Sequence, residues 1–407
     1  MILAMKQFFK ISITAMLTVL ATGLYGCNDS DSDEPCGGDP PFYENPDEPK
    51  LLHSSGLILN GDFVDLRYHE ECSPIIIALS KKAPDNPVSV VLRQAGTLEM
   101  ELEGKTEGMD ALTISGPMNI DDAQYIRDCA ANHYLIMLDM HNASFENNVI
   151  PDRAFFKTYD YDYLSKSRDN PGTEPISPPV FVSVLSVPIL NIRLPKDTEE
   201  IGERAFCAIA VTKLELPGSL RKAGSYCFEN NMLSLGNFII PEGVEEIQTA
   251  AFRSECSIGF YASDANDLGK LVIPSTVKTI EKMAFSRTSA SEIIVSEGVE
   301  RIRELAFFNS CAKIVRLPES LKQLDMGSLF ALNNLQAIYC SNPNPPVVET
   351  GFLDKDHFHE YPASAFELVN QPSELTPTDV TVYVPEGSIA KYKKATGWSR
   401  FSNYKAL

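Results

Sequence analysis

The stretch Ile239-Ile240-Pro241-Glu242-Gly243-Val244-Glu245-Glu246-Ile247, followed by Ala251-Phe252, is one copy of a pattern that recurs between residues 191 and 335. Its anchors are the triplets Arg193-Leu194-Pro195, Glu215-Leu216-Pro217, Ile239-Ile240-Pro241, Val272-Ile273-Pro274, Ile294-Val295-Ser296 and Arg316-Leu317-Pro318. Eleven residues past the last member of each triplet stands a large apolar residue: Phe206, Phe228, Phe252, Phe285, Phe307 and Leu329. Three past it stand Leu220, Val244, Val277, Val299 and Leu321, with Thr198 the exception. Six past it stand Ile201, Ile247, Ile280, Ile302 and Leu324, with Ala223 the exception. The anchors step by 22, 24, 33, 22 and 22 residues, and every insertion falls between the phenylalanine and the next anchor. Fixed core spacing with variable length confined to one segment marks a solenoid whose insertions lie in loops.

Just before each anchor the residues alternate, as a half-buried strand requires. Leu194 and Ile192, Leu216 and Leu214, Ile240 and Phe238, Ile273 and Leu271, Val295 and Ile293, and Leu317 and Val315 are expected to point inward. The proline ends the strand by removing a ladder donor. No single repeat can bury this core, so each depends on its neighbours.

The outward column two residues before the anchor's end reads Arg193, Glu215, Ile239, Val272, Ile294 and Arg316. Four before stand Asn191, Lys213, Asn237, Lys270, Glu292 and Ile314. Strands stacked in register would align Ile239, Val272 and Ile294 as an aliphatic stripe rimmed by charge, a common composition for interaction surfaces. Those six residues of the first column are the candidate binding residues. β-propensity alone also favours Ile and Val on any strand, and the insertion from Ser254 to Gly269 is a possible cover.

At the start of the chain, Lys6 and Lys10 precede the apolar run from Ile11 to Leu20, then Leu24-Tyr25-Gly26-Cys27. A basic end, a short apolar core and a small residue before the cut describe a secretory signal, too short for a membrane span. Residues 28 to 49 hold eight acids and five prolines. Such a segment buries too little surface to offset its ordering entropy and reads as a flexible tether. The whole chain carries 35 basic against 55 acidic residues, a formal charge of −20. That argues against nucleic acid or anionic lipid as a partner.

Of nine cysteines, Cys207, Cys227, Cys256 and Cys311 fall beside or just past the phenylalanine positions and read as small buried hydrophobes. Cys36 with Cys72 is the one pair whose bridging is left open. No Cys-x-x-Cys or Cys/His spacing suggests a metal. The chain also has no Gly-x-Ser-x-Gly, no phosphate-binding loop, no dinucleotide fingerprint and no His-Glu-x-x-His, so no enzyme class is indicated and no cofactor is expected. Asp356-His357-Phe358-His359-Glu360 is the densest group of metal-capable side chains, but it sits in an insertion beside Pro362 and reads as a solvated loop. Asp139-Met140-His141 stands at a strand end with no nucleophile to serve. Trp398 is expected to pack a C-terminal cap.

Before the array, Leu57 to Leu59, Ile75 to Leu79 and Val88 to Leu92 read as short strands, with Asn60-Gly61 as a hairpin signal. A helix is expected over residues 95–103 and another opening at Asp121 and Asp122, with strands at Ala111 to Ile114 and Leu135 to Asp139. The step from Ile114 to Leu138 is 24 residues.

Several of these stretches resemble a known family. Ala95-Gly96-Thr97-Leu98, Leu112-Thr113-Ile114-Ser115-Gly116-Pro117, Leu138-Asp139 and Ile150-Pro151-Asp152-Arg153-Ala154-Phe155 are similar to the opening of BspA-like leucine-rich-repeat surface proteins. Ile240 to Ile247 with Ala251-Phe252 resembles that family's repeat. Val382-Tyr383-Val384-Pro385-Glu386-Gly387-Ser388, with Tyr392, Gly397-Trp398 and Phe401, resembles its terminal unit. The likeness covers roughly residues 92 to 407. Ser296 in place of a proline, Ala223 in place of a larger aliphatic and the insertion from Tyr339 to Asp379 depart from the pattern. Cys27 likewise resembles the acylated cysteine of bacterial lipoproteins, and the acids behind it resemble a surface-export signal.

The resemblance implies an α/β leucine-rich-repeat solenoid of short parallel strands and repeats of about 22 residues, with a small β-rich N-terminal cap. The expected organisation is a lipoprotein signal peptide over 1–26, an acidic tether over 27–50 and the cap over 51–92. Divergent first repeats with an insertion follow over 93–190, then regular repeats over 191–340 and an insertion with a C-terminal cap over 341–407. It further implies a non-catalytic, adhesin-like lipoprotein, anchored to the outer membrane and exposed on the cell surface. Its partner would be a protein on a host or neighbouring cell. The alternative is a glycan-binding accessory lipoprotein of a polysaccharide uptake system, whose mark would be an exposed aromatic platform. Tyr159, Tyr161 and Tyr163 are the tyrosine run that could supply one.

Overall fold

The structure, a computed structural model, describes residues 51–59, 62–65, 81–132, 134–156, 159–160, 181–185, 189–209, 211–229, 231, 239–253, 269–288, 290–308, 310–330, 332, 334–352, 362–366 and 380–407. The chain divides into two units, residues 1–38 and 39–407, and every described residue lies in the second. Cys27 and the 27–50 tether, Cys36, Cys72, Cys256, the insertion from 254 to 268 and the cluster around His357 and His359 lie outside the described residues.

The described residues build a parallel-strand solenoid with few helices. On one side the strands Pro87–Val91, Ala111–Met118, Leu135–Phe145, Ile189–Arg193 and Lys213–Glu215 pair in that order, all parallel. Ile239 then bridges Val272, again in parallel. The ladder continues through Lys270–Ile273, Glu292–Val295, Ile314–Leu317, Ala337–Cys340, Thr381–Val384 and Asn403–Ala406. A second side is made of two-residue strands. Val149–Ile150, Glu200–Ile201, Lys222–Ala223 and Glu246–Ile247 form one sheet. Thr279–Ile280, Arg301–Ile302, Gln323–Leu324 and Val347–Val348 form another.

The alternation explains which side chains face in. Ile192, Leu194, Leu214, Ile240, Leu271, Ile273, Ile293, Val295, Val315 and Leu317 are buried, and Leu216 is half-buried. After the anchor, the amide three residues on turns back to the anchor carbonyl, as in Leu220 N to Pro217 O at 3.1 Å. The two-residue strands then bury Ile201, Ala223, Ile247, Ile280, Ile302 and Leu324. The phenylalanines close the coil and stack on one another: Phe155 on Phe206 at 4.7 Å, Phe206 on Phe228 at 5.0 Å, and onward to Phe307 at spacings up to 5.7 Å. Those spacings approach the strand separation of about 4.8 Å, so the ring column advances with the sheet. A third ladder runs along it, through Phe206 N to Cys227 O, Phe228 N to Ala251 O and Phe285 N to Ala306 O.

The turn before each phenylalanine holds a feature that composition hides. Arg204, Tyr226, Ala250, Met283, Leu305 and Gly327 occupy the same slot, and all have φ between 51° and 64°. The left-handed region costs a residue with a Cβ roughly 1–2 kcal/mol. The amides of the five non-glycine residues each reach the next coil (Tyr226 N to Thr249 O, Met283 N to Glu304 O), so the strain is held by the ladder and repeated from coil to coil.

Before the array, the chain departs in part from expectation. The strand Pro87–Val91 is the first rung of the main ladder rather than part of a separate cap, since it pairs in parallel with Ala111–Met118. A separate sheet joins Leu51–Leu59 to Asp62–Asp65 and Phe181–Leu185, with Tyr159–Asp160 on its far edge. The segment from Tyr159 to Pro179, expected to be an insertion or loop, therefore contributes one strand to it, Tyr159–Asp160. The helix expected over 95–103 is a single turn, Leu98–Glu101, while the second runs Ile120–Asn132. Asp122 ties the two, accepting from Gly96 N, Leu98 N and Asn119 N. Leu138 pairs with Leu112, not Ile114, and past Thr113 an irregularity adds one residue to the second strand. The main ladder also extends beyond 340, to Ala406.

Candidate binding face

The outward residues of the main ladder stand in register, one per coil. Asp139 lies beside Arg193 and Arg193 beside Glu215. Ile239 lies beside Val272, then Ile294, Arg316, Tyr339, Tyr383 and Lys405 follow, each paired with the last. The six residues singled out from the sequence thus fall on the strand side of the coil in two groups, Arg193 with Glu215 on one sheet and Ile239, Val272, Ile294 and Arg316 along the next, in two chemical zones.

The first zone is ionic. Arg193 lies 3.7 Å from Asp139 and 3.1 Å from Glu215, all of them partly solvent-exposed. Asp139 also accepts from His141 N. The Asp139-Met140-His141 group therefore sits within the strand Leu135–Phe145, not at its end.

The second zone is apolar. Ile239 keeps 75% of its surface exposed and Val272 39%, while Ile294 is half-buried. Beside this stripe Glu292 is nearly buried and bridges two cations, Lys270 at 2.8 Å and Arg316 at 2.6 Å. Burial by itself raises the Glu292 pKa, but the hydrogen bonds from Lys270 and Arg316 outweigh it and hold the carboxyl below its ordinary value. Arg316 then lies over the Tyr339 ring at 4.2 Å, Tyr339 stacks on Tyr383 at 4.5 Å with 5° between planes, and Lys405 lies 5.9 Å from the Tyr383 centroid. Both faces of Tyr339 and one face of Tyr383 are therefore occupied, with Lys405 at the margin of the other. A ring buried face-on between neighbours is no stacking platform for a sugar.

Sequence reading stopped this column at Arg316. Ala337-Ile338-Tyr339-Cys340 and Thr381-Val382-Tyr383-Val384 alternate as the earlier strands do, and that alternation was the available signal. The long insertion between them breaks the constant step.

The face made by the two-residue strands is different. Its outward charges pair between coils: Lys222 with Glu200 at 2.6 Å, Lys322 with Glu300 at 2.7 Å and Arg301 with Asp325 at 2.8 Å. In the two outward positions per coil, Arg221, Lys222, Lys278, Arg301 and Lys322 balance Glu199, Glu200, Glu245, Glu246 and Glu300.

The remaining candidates fall into the core. Cys207 and Cys227 are fully buried and Cys311 nearly so, and burial pushes the Cys227 and Cys311 thiols up. Trp398 is buried, donates to Pro346 O at 2.9 Å and meets Phe366 and Tyr392 edge-on. Among the described residues no group of three or more His, Cys, Asp or Glu side chains is placed to hold a metal.

Comparison with curated protein sequences yields no match. Among solved structures, a leucine-rich repeat protein from Bacteroides ovatus is 14% identical, with 58% of this chain and 68% of that one covered and a TM-score of 0.24. The pneumococcal vaccine antigen PcpA is also 14% identical, with 79% and 78% covered and a TM-score of 0.27. The family model for the BspA type leucine rich repeat region matches residues 176–259 and 256–347, in six copies. Those residues, which hold most of the phenylalanine column and the apolar part of the outward stripe, match the BspA-type leucine-rich-repeat model.

Proposed function

We propose that this chain is a non-catalytic, lipid-anchored cell-surface protein whose strand face binds a protein on a host or neighbouring cell. The observation that carries the reading is the uninterrupted outward column from Ile239 to Lys405. There the sheet leaves an apolar and aromatic stripe at the surface. The opposite treatment of the short-strand face supports it, because paired charge evidently serves to finish an exposed side of the same coil. The occupied tyrosine faces favour protein over glycan as the ligand. Of the other tyrosine run, Tyr161 and Tyr163 lie outside the described residues.

The anchor rests on Cys27 and the signal-like stretch before it. Protease shaving of intact cells tests the address: the reading expects the 51–407 region to be lost from intact cells. Protection until the outer membrane is opened would make the protein a periplasmic scaffold and end the adhesin reading. Binding of the purified chain to target cells tests the partner class. The expectation is saturable binding that protease treatment of the target cells removes and that glycan oxidation leaves in place.

A further inference from the structure

The strand face differs in charge from the chain that carries it. Over the rungs from Leu135–Phe145 to Asn403–Ala406, its two outward columns hold five cations, Arg193, Lys213, Lys270, Arg316 and Lys405. Three carboxylates, Asp139, Glu215 and Glu292, oppose them, within a chain of net charge −20. All three carboxylates are engaged by Arg193, Lys270 or Arg316. Lys213 and Lys405 have no ion-pair partner among the described residues, and both are exposed. The surplus is therefore cationic and open.

At the aromatic end this surplus is arranged as a row. Arg316, Tyr339, Tyr383 and Lys405 stand on four consecutive rungs. Arg316 uses its Nε toward Glu292, and a guanidinium has further N–H donors to offer. The Tyr339 and Tyr383 hydroxyls make no hydrogen bond within the described residues, and an ammonium donates only. Four adjacent outward groups thus present donors, with ring edges between them. The complement is a chain of acceptors carrying negative charge and one apolar side chain.

Spacing narrows the partner further. Three rung steps of about 4.8 Å separate Arg316 from Lys405, roughly 14 Å. An extended polypeptide rises about 3.3 Å per residue, so acids about four residues apart would meet the two cations. We propose that Arg316, Tyr339, Tyr383 and Lys405 form a donor row that takes an extended acidic polypeptide segment of the partner, lying across the strands with carboxylates about four residues apart. This rests on the strand-face reading and specifies what that face recognises. The negative charge of the whole chain acts against long polyanions, whereas a short segment needs only the local row.

The test uses the full chain and fluorescent proline-rich peptides, which stay extended. One carries two glutamates four residues apart with a phenylalanine between. A second carries lysines in their place, and a third sets the glutamates next to each other. The expectation is saturable binding of the first, weakened about tenfold by Lys405→Glu and several-fold by raising salt from about 0.05 to 0.5 M. Lys405 is exposed, so Lys405→Glu should leave the melting temperature unchanged. Equal binding of the lysine or adjacent-glutamate peptide, no binding of any peptide, or indifference to Lys405→Glu would overturn the proposal. If no peptide binds while Ile239→Lys with Ile294→Lys still abolishes cell binding, only the acidic-partner inference fails. If the glutamate peptide binds while cell binding ignores the double change, the strand-face reading fails instead.

Discussion

The strand face and the short-strand face belong to the same coils and share one rung spacing, yet their outward side chains follow different rules. On the short-strand face, Glu200 with Lys222, Glu300 with Lys322 and Arg301 with Asp325 join successive coils through opposite charge. On the strand face a ladder of this kind fills the outward column only through Asp139, Arg193 and Glu215, and Lys270, Glu292 and Arg316 pair beside the stripe. Beyond it the outward column turns to Ile239, Val272, Ile294, Tyr339 and Tyr383. Exposed ion pairs contribute only about 0–1 kcal/mol each, so neither face holds the solenoid together. The buried phenylalanine column and the inward aliphatics do that, and they serve both faces alike. Stability does not require an apolar stripe at the surface, and that is why the stripe points to binding.

The comparison breaks most severely if the shared core is removed. Phe285→Ala deletes a fully buried ring stacked between Phe252 and Phe307. It should cost about 3–5 kcal/mol, read as a fall in the urea midpoint, with binding lost in proportion. A loss under 1 kcal/mol would mean that the ring column does not carry the stack.

The short-strand face should respond in stability and not in binding. Asp325 is nearly buried and receives Arg301 through Nε at 2.9 and 3.0 Å, and Gln323 at 2.9 Å. Asp325→Asn should cost on the order of 1 kcal/mol, since the Arg301 side chain is 40% exposed and its charge well screened. Cell binding should not change.

The strand face carries its own acid sensitivity. The Glu292 carboxyl has a folded-state pKa below its ordinary value because two cations outweigh its burial. Its contribution to stability is complete above the unfolded value of about 4.3 and is lost as pH falls through the lower folded value. The stability difference between the wild type and Glu292→Gln, followed in urea from about pH 6 to pH 3, should therefore shrink on acidification. A difference that grows would reverse the sign of the account. Smallest of all, Lys322→Ala, at an exposed pair on the short-strand face, should stay within about 0.5 kcal/mol of the wild type and bind normally.

The parts legible in sequence were those set by spacing. The eleven-residue offset to Phe206, Phe228, Phe252, Phe285 and Phe307 follows from a core that must advance one ring per coil, so any insertion had to fall elsewhere. The alternation around each anchor likewise assigned the outward column. The left-handed slot was not legible, because Arg204, Tyr226, Met283 and Leu305 are not residues that announce a turn. Their backbone is imposed by amides bonded to the next coil, a non-local cause. Tyr339 and Tyr383 were missed for a different reason: they continue the column across an insertion that removes the constant step. The limits of the N-terminal sheet depended on the pairing of Leu51–Leu59 with Phe181–Leu185, a contact across more than a hundred residues of chain.

The most direct measurement compares cell binding by two matched variants of the purified chain. One places lysines on the strand face, Ile239→Lys with Ile294→Lys. The other places them on the short-strand face, Thr279→Lys with Val347→Lys, where Val347 is also exposed. Binding abolished by the first pair and kept by the second, with both melting temperatures close to the wild type, is the predicted result. Binding that survives the first pair, or falls equally with both, would contradict the assignment of the strand face as the surface that binds.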